Sequence, residues 1–206
     1  MDRQDLVGRA KLAEHTEQYD VMIDCVKNLV ANFNSDFTQE ERTLLSVAYK
    51  QAVGERRNSW RVLNSYADKE RSRNSDNVSL CESYKQRVYN ELVNLCKEVI
   101  GLIETSLYKE SDDVDSRVFY LKMKGDYYRY AAEAGDQESV EKGRESYNAA
   151  NELAQELDAA NPNKLGLALN YSVFHYEVLK DQENACQLAK STFDAALPTL
   201  DSLDEQ

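Results

Sequence analysis

Proline and glycine are scarce, with 2 and 7 copies in 206 residues and no clusters of either. A fold of many tight turns needs both, so a many-stranded β architecture is disfavoured and long uninterrupted helices are expected. Histidine occurs only as His15 and His175. Neither stands in an H-E-x-x-H zinc pair or a Glu-x-x-His di-iron spacing. No glycine-rich phosphate loop and no G-x-S-x-G elbow occur. The 4 cysteines, Cys25, Cys81, Cys96 and Cys186, form no C-x-x-C pair. They read as buried free thiols in a reducing compartment, neither zinc ligands nor disulfides. Positive charge is in deficit, 25 Lys and Arg against 37 Asp and Glu, for a net −12. That balance disfavours nucleic-acid and anionic membrane partners. No segment approaches the ~20 apolar residues of a membrane span, and the opening MDRQDLVGRAKL lacks the apolar stretch of a signal peptide. The expectation is a soluble cytoplasmic protein, with the nucleus also open to it, that has no catalytic residues, metal or cofactor.

What the chain does have is helical periodicity nearly throughout. Leu6, Ala10 and Ala13 mark a first short helix from about Gln4 to Thr16, and Met22, Val26, Leu29 and Val30 a second after Tyr19. Thr38 and Glu41 form a T-x-x-E capping box, predicting a third helix from Thr38 past Trp60 to about Lys69. The polar stretch from Glu70 to Asn77 reads as a loop. Helices are then expected over 78–107, from about Asp113 to Ala134, over 139–160, from Pro162 to Lys180, and from Asp181 onward. Gly135-Asp136 makes a turn, Asn161-Pro162 a cap with proline at the first helical position, and Pro198 a kink or end in the last helix. The predicted fold is all-α, one domain over 1–206 of eight antiparallel helices stacked as hairpins, residues 1–69 forming the N-terminal part and 78–204 the rest. No clean 34-residue repeat supports a tetratricopeptide array.

Three stretches stand out. In LLSVAYK (44–50) and GERRNSWR (54–61), Lys50 and Arg57 lie seven apart and share a helix face, with Val47 one turn before Lys50. In VFYLKMKGDYYRY (118–130), Lys122, Asp126 and Arg129 form an i, i+4, i+7 stripe. In LGLALNYSVFHYE (165–177), Gly166, Leu169, Asn170, Val173 and Glu177 fall on one face, apolar toward one edge and polar toward the other. Arginine offers phosphate oxygens a planar fork, lysine adds a point charge, and a tyrosine hydroxyl adds a neutral donor. Periodicity alone leaves two readings open: surface cations each paired with a carboxylate, or a dianion site.

These same stretches resemble the most distinctive segments of the 14-3-3 family, and their order and spacing match it from Asp2 to about Asp204. The resemblance implies an adaptor that binds phosphoserine or phosphothreonine segments of client proteins. It implies a bundle of antiparallel helices, nine in the family, paired through the N-terminal helices into a cup-shaped dimer, as a homodimer or a heterodimer. Lys50, Arg57, Arg129 and Tyr130 match the family's phosphate-binding quartet. Asn170 matches the residue that bonds the peptide backbone, and Val47, Phe119, Lys122, Pro162, Gly166, Leu169 and Val173 match other groove positions. Asp126 and Glu177 match carboxylates that orient the basic cluster and the groove. Leu12, Ala13, Leu63, Tyr66 and Tyr84 match the apolar dimer seam, and Ser59 a seam serine phosphorylated in some relatives. Gln18 and Val21 replace the Arg and Asp common in the family, so Arg87 and Glu91 are expected to lack their partners across the seam, which weakens the dimer. The family also has a ninth helix beyond the point where this sequence ends. The resemblance therefore implies a more open groove at Leu169 and Val173 with broader peptide selectivity. A scaffold indifferent to phosphate is the alternative function.

Overall fold

The computed structural model describes residues 1–33 and 36–204, with side chains to residue 199. Among the described residues there are eight α-helices and no strand, as the periodicity predicts. Contacts group the chain into two compact units, residues 1–107 and 108–206.

In the first unit, α1 (Arg3–His15) opens on a capping box between Asp2 and Asp5. It turns through Glu17, held at φ 55°, into α2 (Tyr19–Phe33). The third helix, α3 (Gln39–Ser72), is 34 residues long and starts at the predicted Thr38–Glu41 box: Thr38 Oγ accepts from Glu41 N at 3.2 Å, and Thr38 N donates to Glu41 Oε2 at 2.8 Å. Glu41 is buried and also takes the Arg3 fork, Nε to Oε1 at 2.6 Å and Nη2 to Oε2 at 2.7 Å, which ties α1 to the start of α3. Burial pushes the Glu41 carboxyl up, but the Arg3 and Thr38 bonds hold it below the ordinary glutamate range. The fourth helix, α4 (Val78–Leu102), passes into a π turn over Ile103–Leu107, so the expected helix to 107 changes its winding at 103. The core of this unit is the facing set Met22, Val26, Leu29, Leu45, Tyr49, Val53, Leu92, Cys96 and Val99. Fully burying each large apolar side chain contributes about 1.5–3 kcal/mol. At the edge of this packing Tyr49 Oη donates to Glu98 Oε1 at 2.7 Å, and Lys27 Nζ to Glu98 Oε2 at 2.8 Å.

In the second unit, Asp113 caps α5 (Val114–Glu133), and Gly135 at φ 111° makes the predicted turn into α6 (Glu138–Leu153). The expectation that α6 continues to Ala160 is corrected: one 3₁₀ turn over Ala154–Glu156 follows, and Leu157 is extended. Asp158 is the reason. Its side chain accepts from Ala160 N at 2.9 Å and its carbonyl from Asn161 N at 3.0 Å, offering the backbone a local alternative to the helix. Asn161 then caps α7 (Pro162–Glu177), accepting from Asn163 N at 2.8 Å and Lys164 N at 3.2 Å. That helix stops before the expected Lys180, which sits at φ 58°, while Asp181 N returns to His175 O at 2.9 Å. The last helix, α8 (Gln182–Asp204), continues through Pro198 and is not ended by it. Val118, Leu121, Tyr147, Ala150, Leu167, Tyr171 and Phe174 form the core of this unit. Of the cysteines, Cys25, Cys81 and Cys96 are buried as expected, but Cys186 is exposed because it falls on the outer face of α8.

Candidate functional site

Each unit carries its own share of the candidate residues. On α3, the helix is unbroken from Gln39 to Ser72, so Lys50 and Arg57 do share a face, roughly 10 Å apart along the axis. Lys50 is exposed, Arg57 half-buried and Val47 half-buried. Lys50 makes no hydrogen bond or ion pair among the described residues.

The α5 stripe is a built polar cluster. Asp126 and Arg129 are buried, at 7% and 5% exposure. Asp126 gathers three donors: Lys122 Nζ reaches Oδ2 at 2.8 Å, while Oδ1 takes Tyr147 Oη at 2.6 Å and Asn170 Nδ2 at 2.8 Å. Arg129 donates through Nε to Tyr147 Oη at 3.2 Å and through Nη1 to Glu133 Oε1 at 2.9 Å, and its Nη2 lies 3.8 Å from Asp126 Oδ1. Its Cζ sits 4.6 Å over the Tyr130 ring. Burial works against the Arg129 charge, but Tyr147, Tyr130 and Asp126 outweigh it and raise the guanidinium above its ordinary range. The Tyr147 phenol is pushed well up by burial and then by Asp126, so it stays protonated. The cluster therefore holds a charged arginine whose Nε and one Nη1 hydrogen are occupied, leaving the rest of its donor fork for an incoming acceptor.

The α7 stripe continues the pattern. Asn170 gives one amide hydrogen to Asp126, which leaves its second hydrogen and its carbonyl oxygen for other partners. Leu169 is 65% exposed, Val173 half-buried, and Gly166 close to Lys122, where a Cβ would meet Cε at 3.4 Å. Phe119 is half-buried and packs edge-on to Tyr120. Pro162 sits exposed at the start of the helix and Glu177 exposed at its end, where Glu177 joins none of these bonds. Asp126 thus bonds Lys122 and lies beside the Arg129 guanidinium. Two members escaped the sequence reading, Glu133 and Tyr147. Glu133 was signalled by its position four residues after Arg129, but nothing local signals Tyr147, which reaches the cluster from α6.

The residues expected at a dimer seam belong to the first unit. Leu12 is 68% exposed, Tyr66 and Tyr84 about half exposed, Ser59 exposed and Leu63 half-buried, whereas Ala13 is buried within its own chain. Ser59, Leu63, Tyr84, Arg87 and Glu91 line a cavity of about 420 Å³ between α3 and α4. Arg87 and Glu91, expected to lack partners across a seam, pair with each other within the chain: Arg87 Nε is 3.3 Å from Glu91 Oε1, one turn along the same helix, and its guanidinium covers the Tyr84 ring at 4.8 Å. Arg56 Nε adds a second contact to Glu91 at 3.8 Å. Among the described residues no cluster of histidine, cysteine and carboxylates could hold a metal ion, and no helix is long and apolar enough to cross a membrane.

A sequence model described as "14-3-3 protein" matches residues 9–206. A 14-3-3 protein of Eimeria tenella is 47% identical, covering 98% of this chain and 79% of its own length. The 14-3-3 protein beta/alpha of Xenopus tropicalis is 46% identical over 100% of this chain and 86% of its own length. The checkpoint signal transducer rad24 of Schizosaccharomyces pombe is 46% identical over 99% of this chain and 77% of its own length. With likeness of this extent along the whole chain, the chain belongs to the 14-3-3 family.

Proposed function

We propose that this protein is an adaptor that binds phosphoserine- or phosphothreonine-bearing segments of client proteins and acts as a dimer, either with itself or with a related chain. Lys50, Arg57, Arg129 and Tyr130 bind the phosphate. Asn170 accepts from the peptide backbone, while Val47, Phe119, Lys122, Gly166, Leu169 and Val173 receive the flanking residues. The supporting observation is the buried α5 cluster, in which a charged Arg129 is fixed by Tyr147 and Glu133 with donors left over. A structural ion pair has no need of spare donors on a buried guanidinium, whereas an anion receptor does. Placing Lys50 exposed and unspent on α3 is consistent with the same role.

The test is titration of a labelled, arginine-rich phosphoserine peptide and its unmodified twin by fluorescence polarisation. The phosphorylated peptide should bind at least tenfold tighter, about 1.4 kcal/mol. Equal affinity for the two would favour a phosphate-indifferent scaffold acting through exposed apolar residues such as Leu169.

A further inference from the structure

We infer that Tyr147 is the positioning residue of the α5 cluster, its phenol oxygen setting the plane of the Arg129 guanidinium, and that position 125 is glycine so the Tyr147 ring can reach there. The inference rests on the phosphate-binding reading of Arg129 and adds to it the part that fixes the arginine's aim.

The geometry gives the phenol a single arrangement. The Tyr147 side chain is fully buried, stacked on Tyr171 at 5.1 Å between ring centres and tilted against Phe174 at 5.3 Å. Its one proton goes to Asp126 Oδ1 at 2.6 Å, the short bond, so toward Arg129 Nε at 3.2 Å the oxygen can only accept. Asp126 cannot turn away, because Asn170 and Lys122 hold its two oxygens from α7 and from the same helix. Arg129 is then fixed at two points of one rigid plane, Nε by Tyr147 and Nη1 by Glu133. Two points on a planar fork set the direction of the donors that remain.

Gly125 makes this possible. A Cβ there would lie 2.7 Å from both Cδ1 and Cε1 of Tyr147, closer than such atoms approach. The fully buried ring has no retreat, since Tyr171 stacks on its face. Even alanine at 125 would shift the ring and carry the phenol oxygen off Arg129 without touching any polar group. Tyr147→Phe removes the oxygen and keeps the ring. Two chemically unrelated changes should therefore produce the same defect.

The test measures phosphoserine-peptide affinity and thermal midpoint for Tyr147→Phe, Gly125→Ala, Arg129→Glu and a packing control, Phe174→Leu, which loses ring contacts but no bond to the cluster. Tyr147→Phe and Gly125→Ala should each weaken binding by about 3–10-fold, the worth of one hydrogen bond at the site. Phe174→Leu should bind as the parent does despite a lower midpoint. In nitrogen-15 spectra the Arg129 Nε–H resonance should lose its protection from solvent exchange in Tyr147→Phe and keep it in Phe174→Leu. If Arg129→Glu binds normally, the phosphate-site reading itself falls and this inference with it. If Arg129→Glu abolishes binding while Tyr147→Phe and Gly125→Ala bind as the parent, only the positioning role is overturned. An affinity loss in Phe174→Leu equal to that in Tyr147→Phe would also overturn it, by reducing the effect to packing.

Discussion

Lys50 on α3 and Arg129 on α5 are both proposed phosphate ligands, and the protein treats them in opposite ways. Lys50 is exposed, with no hydrogen bond or ion pair among the described residues. Arg129 is 5% exposed and held by Tyr147 and Glu133. An exposed lysine contributes charge and nothing to folding, since its flexible ammonium is solvated either way. A buried arginine contributes direction, and its loss would take from Glu133 the guanidinium it bonds at 2.9 Å inside the second unit, while Asp126 keeps Lys122. Binding should therefore be separable from stability at position 50 and inseparable from it at position 129.

Charge reversal is the strongest way to break this comparison. Lys50→Glu and Arg129→Glu should each lose at least tenfold in phosphopeptide affinity, about 1.4 kcal/mol or more. Arg129→Glu should also lose about 3–5 kcal/mol of folding stability in urea titrations, as a broken buried pair does, while Lys50→Glu should stay within about 0.5 kcal/mol of the parent. Equal stability losses in the two variants would erase the distinction.

A second comparison is between the exposed and the buried faces of α3 itself. Ser59 is exposed beside the cavity lined by Leu63, Tyr84 and Arg87. As a dimer seam, that face would not tolerate the charge of about −2 of a phosphate. Ser59→Glu should shift sedimentation of the micromolar protein from dimer toward monomer without changing its helix content. The Arg87–Glu91 pair within the chain removes the expected cost of two stranded charges, and exposed pairs count for only ~0–1 kcal/mol. The parent should therefore sediment as a dimer, and a monomer at high micromolar concentration would contradict the seam.

The buried end of α3 behaves like Arg129 on a smaller scale. Glu41→Ala removes both the capping-box partner of Thr38 and the acceptor of the Arg3 fork. A loss of about 2 kcal/mol in chemical denaturation is expected, with no change in peptide affinity. The same carboxyl predicts acid sensitivity. Its folded pKa lies below its unfolded value, so its contribution is complete above about pH 4.3 and is lost as pH falls through the folded value. His175 gives the smallest effect. Burial lowers its pKa against the weaker pull of Asp181, so the fold favours neutral imidazole. That contribution is present above about pH 6.5 and fades as pH falls through the depressed folded value. Urea midpoints of the parent should decline between pH 7 and 5, and His175→Asn should flatten that part of the curve.

Much of this was legible in the chain because it is local. Thr38 with Glu41 and Asn161 with Pro162 announce helix starts within four residues, and the stripe of Lys122, Asp126 and Arg129 is fixed by helical spacing alone. The end of α6 was not legible, because alanine, glutamate and leucine over 153–157 favour a helix and only Asp158 decides otherwise. Cys186 could not be placed because which side of α8 is covered depends on its packing against α7. Tyr147 was the largest omission. It enters the cluster from another helix through a gap made by the missing side chain of Gly125, a relation that neither segment carries alone.

The proposed adaptor would recognise the phosphate as a dianion. The direct measurement is the phosphorus-31 shift of a bound phosphoserine peptide, followed against pH alongside the free peptide. If the proposed ligands Lys50, Arg57 and Arg129 hold the phosphate, the doubly charged form is favoured, and the second phosphate pKa, about 6 when free, should fall by at least one unit on binding. It should return toward the free value in Lys50→Glu. A bound peptide whose phosphate titrates as it does in solution would mean that the phosphate stays in water, and would contradict the account.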